Sequence, residues 1–599
     1  MNRRYSMPFG AELLTDGAVR FQLWAPAARA VDLCLGDLTL PMGVLEEGWF
    51  ELTTAKARAG SRYRFCIDRD TFVPDPASRF QPEDVHGPSE VLDPRGFPWQ
   101  DQDWKGRPWE ETIIYELHVG TFTPEGRFSA AEDRLDYLVK LGVTAIEIMP
   151  VADFPGTRNW GYDGVLPFAP DASYGRPEDL KALVQAAHAK GLMVFLDVVY
   201  NHFGPEGNYL HAYAPEFFSP RHHTPWGAAI NFDGPGSRAV RDLFIHNALY
   251  WLEEYHLDGL RLDAVHAILD DSSPDILIEL AQAVHQGPGI ERYVHLILEN
   301  DHNAAHYLRQ GYRAQWNDDI HHALHVLLTG ETDGYYQDYA DKPLEQLGRC
   351  LTEGFAYQGE PSRHRGGIGR GERSSDLSPT AFVSFLQNHD QVGNRALGER
   401  LVTLTDLHAA IAVILLAPSP PLLFMGEEFG ATEPFLFFCD FEPGLAAAVT
   451  EGRRSEFARF KDFADPTARA AIPDPNALET FLQSKLDWGS LTAPSHVMWL
   501  EFYQRLLTLR QQAIVPRLAG MQGGQAGFHP LGEQGLAVHW RLGDGATLSL
   551  LANLSAEPLC TNEVSLQGEV LYATEPHCPA GIRDGLPPWS VIWFLDTKQ

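Results

Sequence analysis

The stretch Asp258-Gly-Leu-Arg-Leu-Asp-Ala-Val-His266 decides how the rest of this 599-residue chain is read. A short apolar run around Leu260 and Leu262 carries an arginine and ends on a carboxylate. A buried strand presents a charged side chain in this way when its C-terminal end faces a site. By itself the stretch reads equally well as a structural Arg261–Asp263 ion pair without chemistry, because such pairs are placed the same way. The segments before and after it separate the two readings.

Working upstream, residues 113–118 and 144–149 read as strands, with helical character over 130–141 between them. Residues 177–190 form a helix with Pro177 in its first turn and Gly191 after it, followed by a third strand at 192–196. The clearest helix spans 238–255: Val240, Leu243, Phe244, Ala248, Trp251, Leu252 and Tyr255 share one face at spacings of three and four. The fourth strand, 259–264, is the opening stretch. Downstream come strands at 295–298, 381–386 and 421–425, with the weakest, the sixth, near 312–316, and a last helix near 499–511. Strands alternating with helices over some 400 residues predict an α/β catalytic domain, a (β/α)8 TIM barrel with loop insertions. An open doubly wound sheet would want a Gly-rich phosphate loop after its first strand, and Gly120-Thr-Phe-Thr-Pro-Glu-Gly126 matches that fingerprint poorly.

The flanks are β-rich. Val19, Phe21 and Leu23 alternate with polar neighbours, as do Val31, Leu33 and Leu35, so residues 1–105 are expected to form a small N-terminal β-sandwich. The barrel is expected over 106–515. Residues 516–599 form a small C-terminal β-domain, with a hairpin signal at Gly543-Asp-Gly545.

The length prior of about four domains falls when one of them is a large barrel. Apolar residues make up 44% of the chain and its formal charge is -33. Such a charge repels nucleic acid and anionic membrane surfaces, which excludes both as partners, and suits a neutral substrate. Cys34, Cys66, Cys350, Cys439, Cys560 and Cys578 lack metal-type spacing and read as free thiols of a reducing compartment. The N-terminal residues lack the apolar region of a signal peptide, and no run approaches a membrane span, so a cytoplasmic location is expected. The oligomeric state is not legible.

In a barrel, residues just past the strand ends face one site. Strand three ends in Asp197-Val-Val-Tyr-Asn-His202, strand four in Arg261-Leu-Asp263, strand five in Glu299-Asn-Asp301 and strand seven in Gln387-Asn-His-Asp390. Asp197 is read as structural, starting a turn and satisfying backbone amides. His202 and His389 are each as readily core histidines as site residues. A carboxylate cluster also suits a metal, but the flanking arginine and histidine make this one less anionic than a dedicated cage. Carboxylates with aromatic loops are the equipment of glycoside chemistry: one attacks the anomeric carbon and a protonated one donates to the leaving oxygen. Arg261 is placed to keep Asp263 ionised, while a less polar setting raises its partner. Trp160, Tyr162, Trp226 and Trp316 offer faces for sugar rings, or serve as loop anchors.

These four motifs, in this order, resemble the signature regions of the α-amylase family of retaining glycosidases. The resemblance implies Asp263 as nucleophile, Glu299 as general acid/base and Asp390 as the residue holding sugar hydroxyls. It implies that His202, Arg261, His389 and Tyr162, with Trp160 and Asp197, bind substrate. Asp75-Pro-Ala-Ser-Arg79, Trp226-Gly-Ala-Ala-Ile-Asn-Phe232 and Phe424-Met-Gly-Glu-Glu-Phe429 narrow the likeness to the branch that cleaves the α-1,4 bond joining trehalose to a maltooligosaccharide. The glycogen-branching and debranching enzymes share some of these features and are the alternative. No cofactor is carried over, calcium included. The loops at 203–237 and after Met425 are the candidates for recognising the α,α-1,1 end.

Overall fold

The computed structural model describes residues 7–458, 460–533, 535–559, 567–574 and 585–597. Its centre is an eight-stranded parallel sheet: β1 (Ile114–Leu117), β2 (Ala145–Ile148), β3 (Met193–Val198), β4 (Gly259–Leu262), β5 (His295–Leu298), β6 (Ala314–Trp316), β7 (Phe382–Val383) and β8 (Leu422–Phe424). Neighbours pair in sequence order, and β1 pairs β8. The ring closes between β7 and β8, where Ser384 N donates to Pro420 O and Leu422 N to Ser384 O, each at 2.9 Å. The sixth strand, weakest in the sequence, is present as three residues.

The apolar filling of the barrel includes Ile114, Phe195, Ile297 and Trp316. Fully burying side chains of this size stabilises by roughly 1.5–3 kcal/mol each. Nearer the C-terminal ends the inward positions change character. Glu116 stands level with Glu147, and Asp197 with Arg261, so ionisable side chains occupy the top of the barrel interior.

Helices pack outside this ring. Pro177–Ala189 begins with proline at its first position, and Gly191 follows it with φ +78°. Ser237–Glu254 buries Val240, Leu243, Phe244, Ala248, Trp251 and Leu252, the face expected from their spacing. The single helix expected at 130–141 is two, Phe128–Glu132 and Leu135–Leu141, the second ending at Gly142 with φ +103°. The last barrel helix, Pro494–Leu509, continues as a wider turn through Arg510–Ile514.

The N-terminal strands form two sheets enclosing Phe21, Leu23, Leu33, Phe50 and Phe65. Arg79 reaches from this region to Glu254 on the barrel helix at 3.5 Å. The C-terminal sheet is five-stranded, and its hairpin turns where Leu542 N donates to Ala546 O at 2.8 Å and Gly545 takes φ +88°. Cys34, Cys66, Cys350 and Cys439 are free thiols, and Cys560 and Cys578 lie outside the described residues. Among the described residues no helix is long and apolar enough to cross a membrane.

Candidate active site

The strand ends hand their side chains to one place because the parallel ladder runs past them. Asp263 N donates to Val198 O and Glu299 N to Leu262 O, each at 3.0 Å, so the two carboxylates leave adjacent strands at nearly one level. Ala264, next after Asp263, takes φ +41°, a left-handed conformation that disfavours side chains bearing a Cβ. That turn aims its backbone N–H at Glu299 Oε2, 2.7 Å away.

Arg261, with no solvent exposure, organises the rest. Its Nη1 donates to Asp197 Oδ1 and Oδ2 at 2.9 and 2.8 Å and to Asp263 Oδ1 at 2.7 Å, while Nη2 lies 4.0 Å from Glu299 Oε2. Its guanidinium sits 4.1 Å above the Trp316 ring. Asn201 Nδ2 donates to the other Asp263 oxygen at 3.0 Å. Burial alone would raise Asp263, but Arg261, Asn201 and His202 outweigh it and hold the carboxyl below the usual carboxylate range. Glu299 goes the other way: burial, with Asp263, Asp318 and Asp390 nearby, pushes it well above that range against the pull of Arg261.

A hydrogen-bond chain crosses the top of the barrel. Glu116 Oε1 accepts from His389 Nδ1 at 2.6 Å; His389 Nε2 meets the Tyr162 hydroxyl at 2.9 Å; that hydroxyl donates to Asp197 Oδ2 at 2.6 Å. Burial would lower His389, yet Asp390 and Glu116 raise it to about 9, so the imidazole is a cation that donates at both nitrogens. Asp197 rises to about 6 through burial, against the pull of Arg261. Tyr162 stacks on the His389 ring at 5.1 Å and 24°. His202 binds Tyr162 O through Nε2 at 3.0 Å and Asn201 Oδ1 through Nδ1. Burial lowers its pKa. Asp390 lies in the first turn of the short helix His389–Gly393; its side chain is 41% exposed and accepts from Asn394 Nδ2 at 3.1 Å.

Three expectations change. Asp197 lies inside β3, facing inward, and satisfies Arg261 and Tyr162 instead of turn amides: the strand runs two residues longer than its apolar run. Trp160 is 4% exposed, donates to Leu436 O at 2.8 Å and stacks on Phe435, so it braces His389 from behind without offering a sugar a face. Trp316 is buried under Arg261. Tyr162 and Trp226 stay at the surface of the site. Trp226, 54% exposed at the tip of the Phe218–Thr224 and Gly227–Ile230 hairpin, lies flat on His202 at 4.8 Å and 12°. Asp301 turns aside to Arg365 and Arg370.

Glu116, Glu147, Asn201 and Asp318 complete the site without having been singled out. The signal for the first two was present, since each is an acid interrupting a buried strand. Glu147 has no hydrogen-bond partner among the described residues, and burial, with Glu116 and Asp197, pushes it well above the carboxylate range. Among the described residues, His222, Asp233 and Asp271 come within metal-ligand range of one another. Arg221 already holds Asp233 Oδ2 at 2.7 Å, and this mixed, charge-neutralised set does not fit a hard cation such as calcium. An ionised carboxylate and a protonated one beside a shared guanidinium form an acid–base split suited to displacement at an acetal carbon.

Residues 96–222 match the family described as alpha amylase, catalytic domain. Residues 8–84 match carbohydrate-binding module 48, the isoamylase N-terminal domain, and residues 523–593 match a domain of unknown function, DUF3459. A malto-oligosyltrehalose trehalohydrolase of Rhizobium sp. (strain M-11) is 42% identical over 99% of this chain and 100% of its own length. The chain belongs to the malto-oligosyltrehalose trehalohydrolase family. A crystal structure of a Salmonella typhimurium protein assigned to the alpha amylases is 46% identical and covers 99% of this chain and 100% of its own, with TM-score 0.93. A 1,4-alpha-glucan branching enzyme of Bacillus caldolyticus is 33% identical over 46% of each chain. Membership of this family accounts for the combination of sandwich, closed barrel and C-terminal sheet.

Proposed function

We propose that the protein hydrolyses the α-1,4-glucosidic bond between trehalose and the maltooligosyl chain of maltooligosyl trehalose, releasing trehalose by a retaining double displacement. The observation that carries the chemistry is the pair around Arg261: Asp263 held ionised at 2.7 Å, Glu299 held protonated at 4.0 Å. The substrate reading rests on the likeness to trehalohydrolases along nearly the whole chain.

Asp263 attacks the anomeric carbon while Glu299 gives its proton to the departing trehalose oxygen, leaving a glycosyl ester on Asp263. A water then gives its proton to Glu299 and its oxygen to the same carbon as the ester bond breaks and Asp263 leaves as a carboxylate, which restores the α configuration. Asp390, the most exposed of the three acids, holds sugar hydroxyls, with His202 and the His389 cation beside it. Arg261 keeps the nucleophile ionised, and Tyr162 supplies the ring face. Trp160 and Asp197 act from behind, by fixing His389 and Arg261. The Phe218–Ile230 hairpin and the insertion after Met425 are the segments proposed to recognise the α,α-1,1 end. Domain divisions are proposed near residues 105 and 515, a reading the separate sheets support, and the free cysteines favour a reducing, cytoplasmic setting.

Incubation with maltotriosyl trehalose tests the reading: trehalose and maltotriose should appear in equal amounts. A change in iodine staining of amylose without new reducing ends would instead mark a branching enzyme.

A further inference from the structure

Asp318 and Asp319 are neighbours in sequence and opposites in environment. Asp319 is fully buried and saturated: it accepts from Arg370 Nη1 at 2.8 Å, Tyr339 OH at 2.5 Å, Asn303 Nδ2 at 3.0 Å and Ala356 N at 2.8 Å. Asp318 is half-buried, and among the described residues its carboxyl has a single hydrogen-bond partner, the Gln391 side-chain amide at 3.4 Å. Buried contacts account for the first acid; the second suits the first turn of its helix but spends little of its carboxyl on the protein.

Position supplies the explanation. Helix Asp318–Thr329 starts just beyond β6, and β6 pairs with β5 so that Gln315 stands level with Leu298. Glu299 and Asp318 therefore emerge from adjacent strands at the same end of the barrel. Gln391 directly follows Asp390 on the turn after β7, which puts Asp318 beside that acid as well. The Gln391 amide also carries a buried oxygen, Oε1, without a hydrogen-bond partner among the described residues. An ionised Asp318 accepts from Nε2 of this amide; a protonated Asp318 donates to Oε1 once the amide turns over. One side chain thus serves both protonation states.

We propose that Asp318 is a positioning residue for proton transfer at Glu299, the two carboxyls sharing one proton through the reaction. The inference rests on the reading of Glu299 as acid/base. Two carboxyls carried by neighbouring strand ends at one end of the barrel, each partly withdrawn from water, cannot both ionise cheaply. In the first step Glu299 loses its proton to the glycosidic oxygen, and Asp318 takes one from solvent. In the second, water gives a proton to Glu299, its oxygen bonds to the anomeric carbon as the ester bond to Asp263 breaks, and Asp318 returns its proton to solvent. The surroundings agree: burial, Asp301 and Asp390 raise Asp318 to about 7, with Arg370 opposing. The groups facing the pair are Arg261 and Asp263 from β4, Asp301 beyond β5, Asp390 beyond β7, Asp319 on the same helix, Arg370 and Tyr335.

The test is the pH profile of kcat/KM for trehalose release by Asp318→Asn. Without the negative neighbour, Glu299 gives up its proton more easily, so the basic limb should move acidward by about one pH unit. KM should change little, and Asp318→Glu should restore the wild-type limb. A basic limb that coincides with wild type overturns the inference, as does a raised KM with an unmoved limb, which marks a sugar-hydroxyl contact instead. Glu299→Gln run alongside separates the two levels. If it keeps activity, the acid/base reading itself falls; if it is inactive while the Asp318→Asn limb stays put, only the role of Asp318 falls.

Discussion

Nη1 of Arg261 donates to Asp263 Oδ1 at 2.7 Å, and the arginine side chain that delivers it has no solvent exposure. The same nitrogen holds Asp197, so one buried cation serves two carboxylates. Arg261→Gln removes the charge and leaves both acids buried without it. Breaking such a pair typically costs about 3–5 kcal/mol of stability. Loss of the guanidinium also frees burial to raise Asp263, so the acidic limb of kcat/KM should move to higher pH. Urea unfolding and the pH profile measure the two effects separately. Arg261→Lys should recover only part of each, because an ammonium cannot reproduce the planar fork.

Asp263→Asn and Glu299→Gln should each reduce trehalose release by about four orders of magnitude, since groups acting as one unit fail together. Their thermal midpoints should stay near wild type. A donor with a leaving group that needs no proton, such as an α-maltotriosyl fluoride, distinguishes them: Glu299→Gln should still release fluoride in a first turnover, and Asp263→Asn should not.

His188 is clamped between Asp101 at 2.8 Å and Asp258 at 3.0 Å, at the N-terminal end of the barrel. Burial would lower the imidazole, but the two carboxylates outweigh it and raise its pKa. Its contribution to stability is therefore complete below the unfolded value of about 6.5 and is lost as pH rises through the higher folded value. Asp258, kept below its ordinary range by His188 and Arg292 in spite of burial, contributes above about 4 and loses that contribution as pH falls through its lowered value. The clamp is thus strongest between these limits. In His188→Gln the stability difference from wild type, followed by urea unfolding, should be largest near pH 6 and shrink as the pH rises through the folded value. A constant difference across that range counts against the clamp.

Gly393 packs under Trp160: a Cβ there would lie 2.1 Å from Trp160 Cζ2 and 2.2 Å from Cη2. Gly393→Ala must push the indole, and with it the edge of His389, whose ring it meets at 5.7 Å. Overpacking of this kind costs about 1–3 kcal/mol. A lower thermal midpoint together with reduced kcat is expected; loss of stability with kcat intact would detach Trp160 from the site.

What the sequence conveyed and what it withheld divide along a physical line. Strand order and the four charged strand ends were legible because each strand is a short apolar run that stops at a polar residue. Helix Ser237–Glu254 was legible from its period. The break at Asp133-Arg134 was not, since neither residue forbids a helix and tertiary packing decides. Asp197 was misplaced because a carboxylate inside a strand reads as the strand's end unless its partner, Arg261, is seen across the ladder. Trp160 belonged to a motif, but which side of His389 it lies on depends on Phe435 and Leu436, some 275 residues away. Asp318 sits beside an equally acidic neighbour, and only their opposite surroundings tell the two apart.

The central claim is that Asp263 takes the sugar as a covalent ester while Glu299 supplies and recovers the proton. The most direct measurement is the intact and peptide mass of Glu299→Gln after exposure to α-maltotriosyl fluoride. The account predicts an added maltotriosyl unit on the peptide containing Asp263, slowly discharged because no base activates water. An unmodified protein, or an adduct on any other residue, would contradict it.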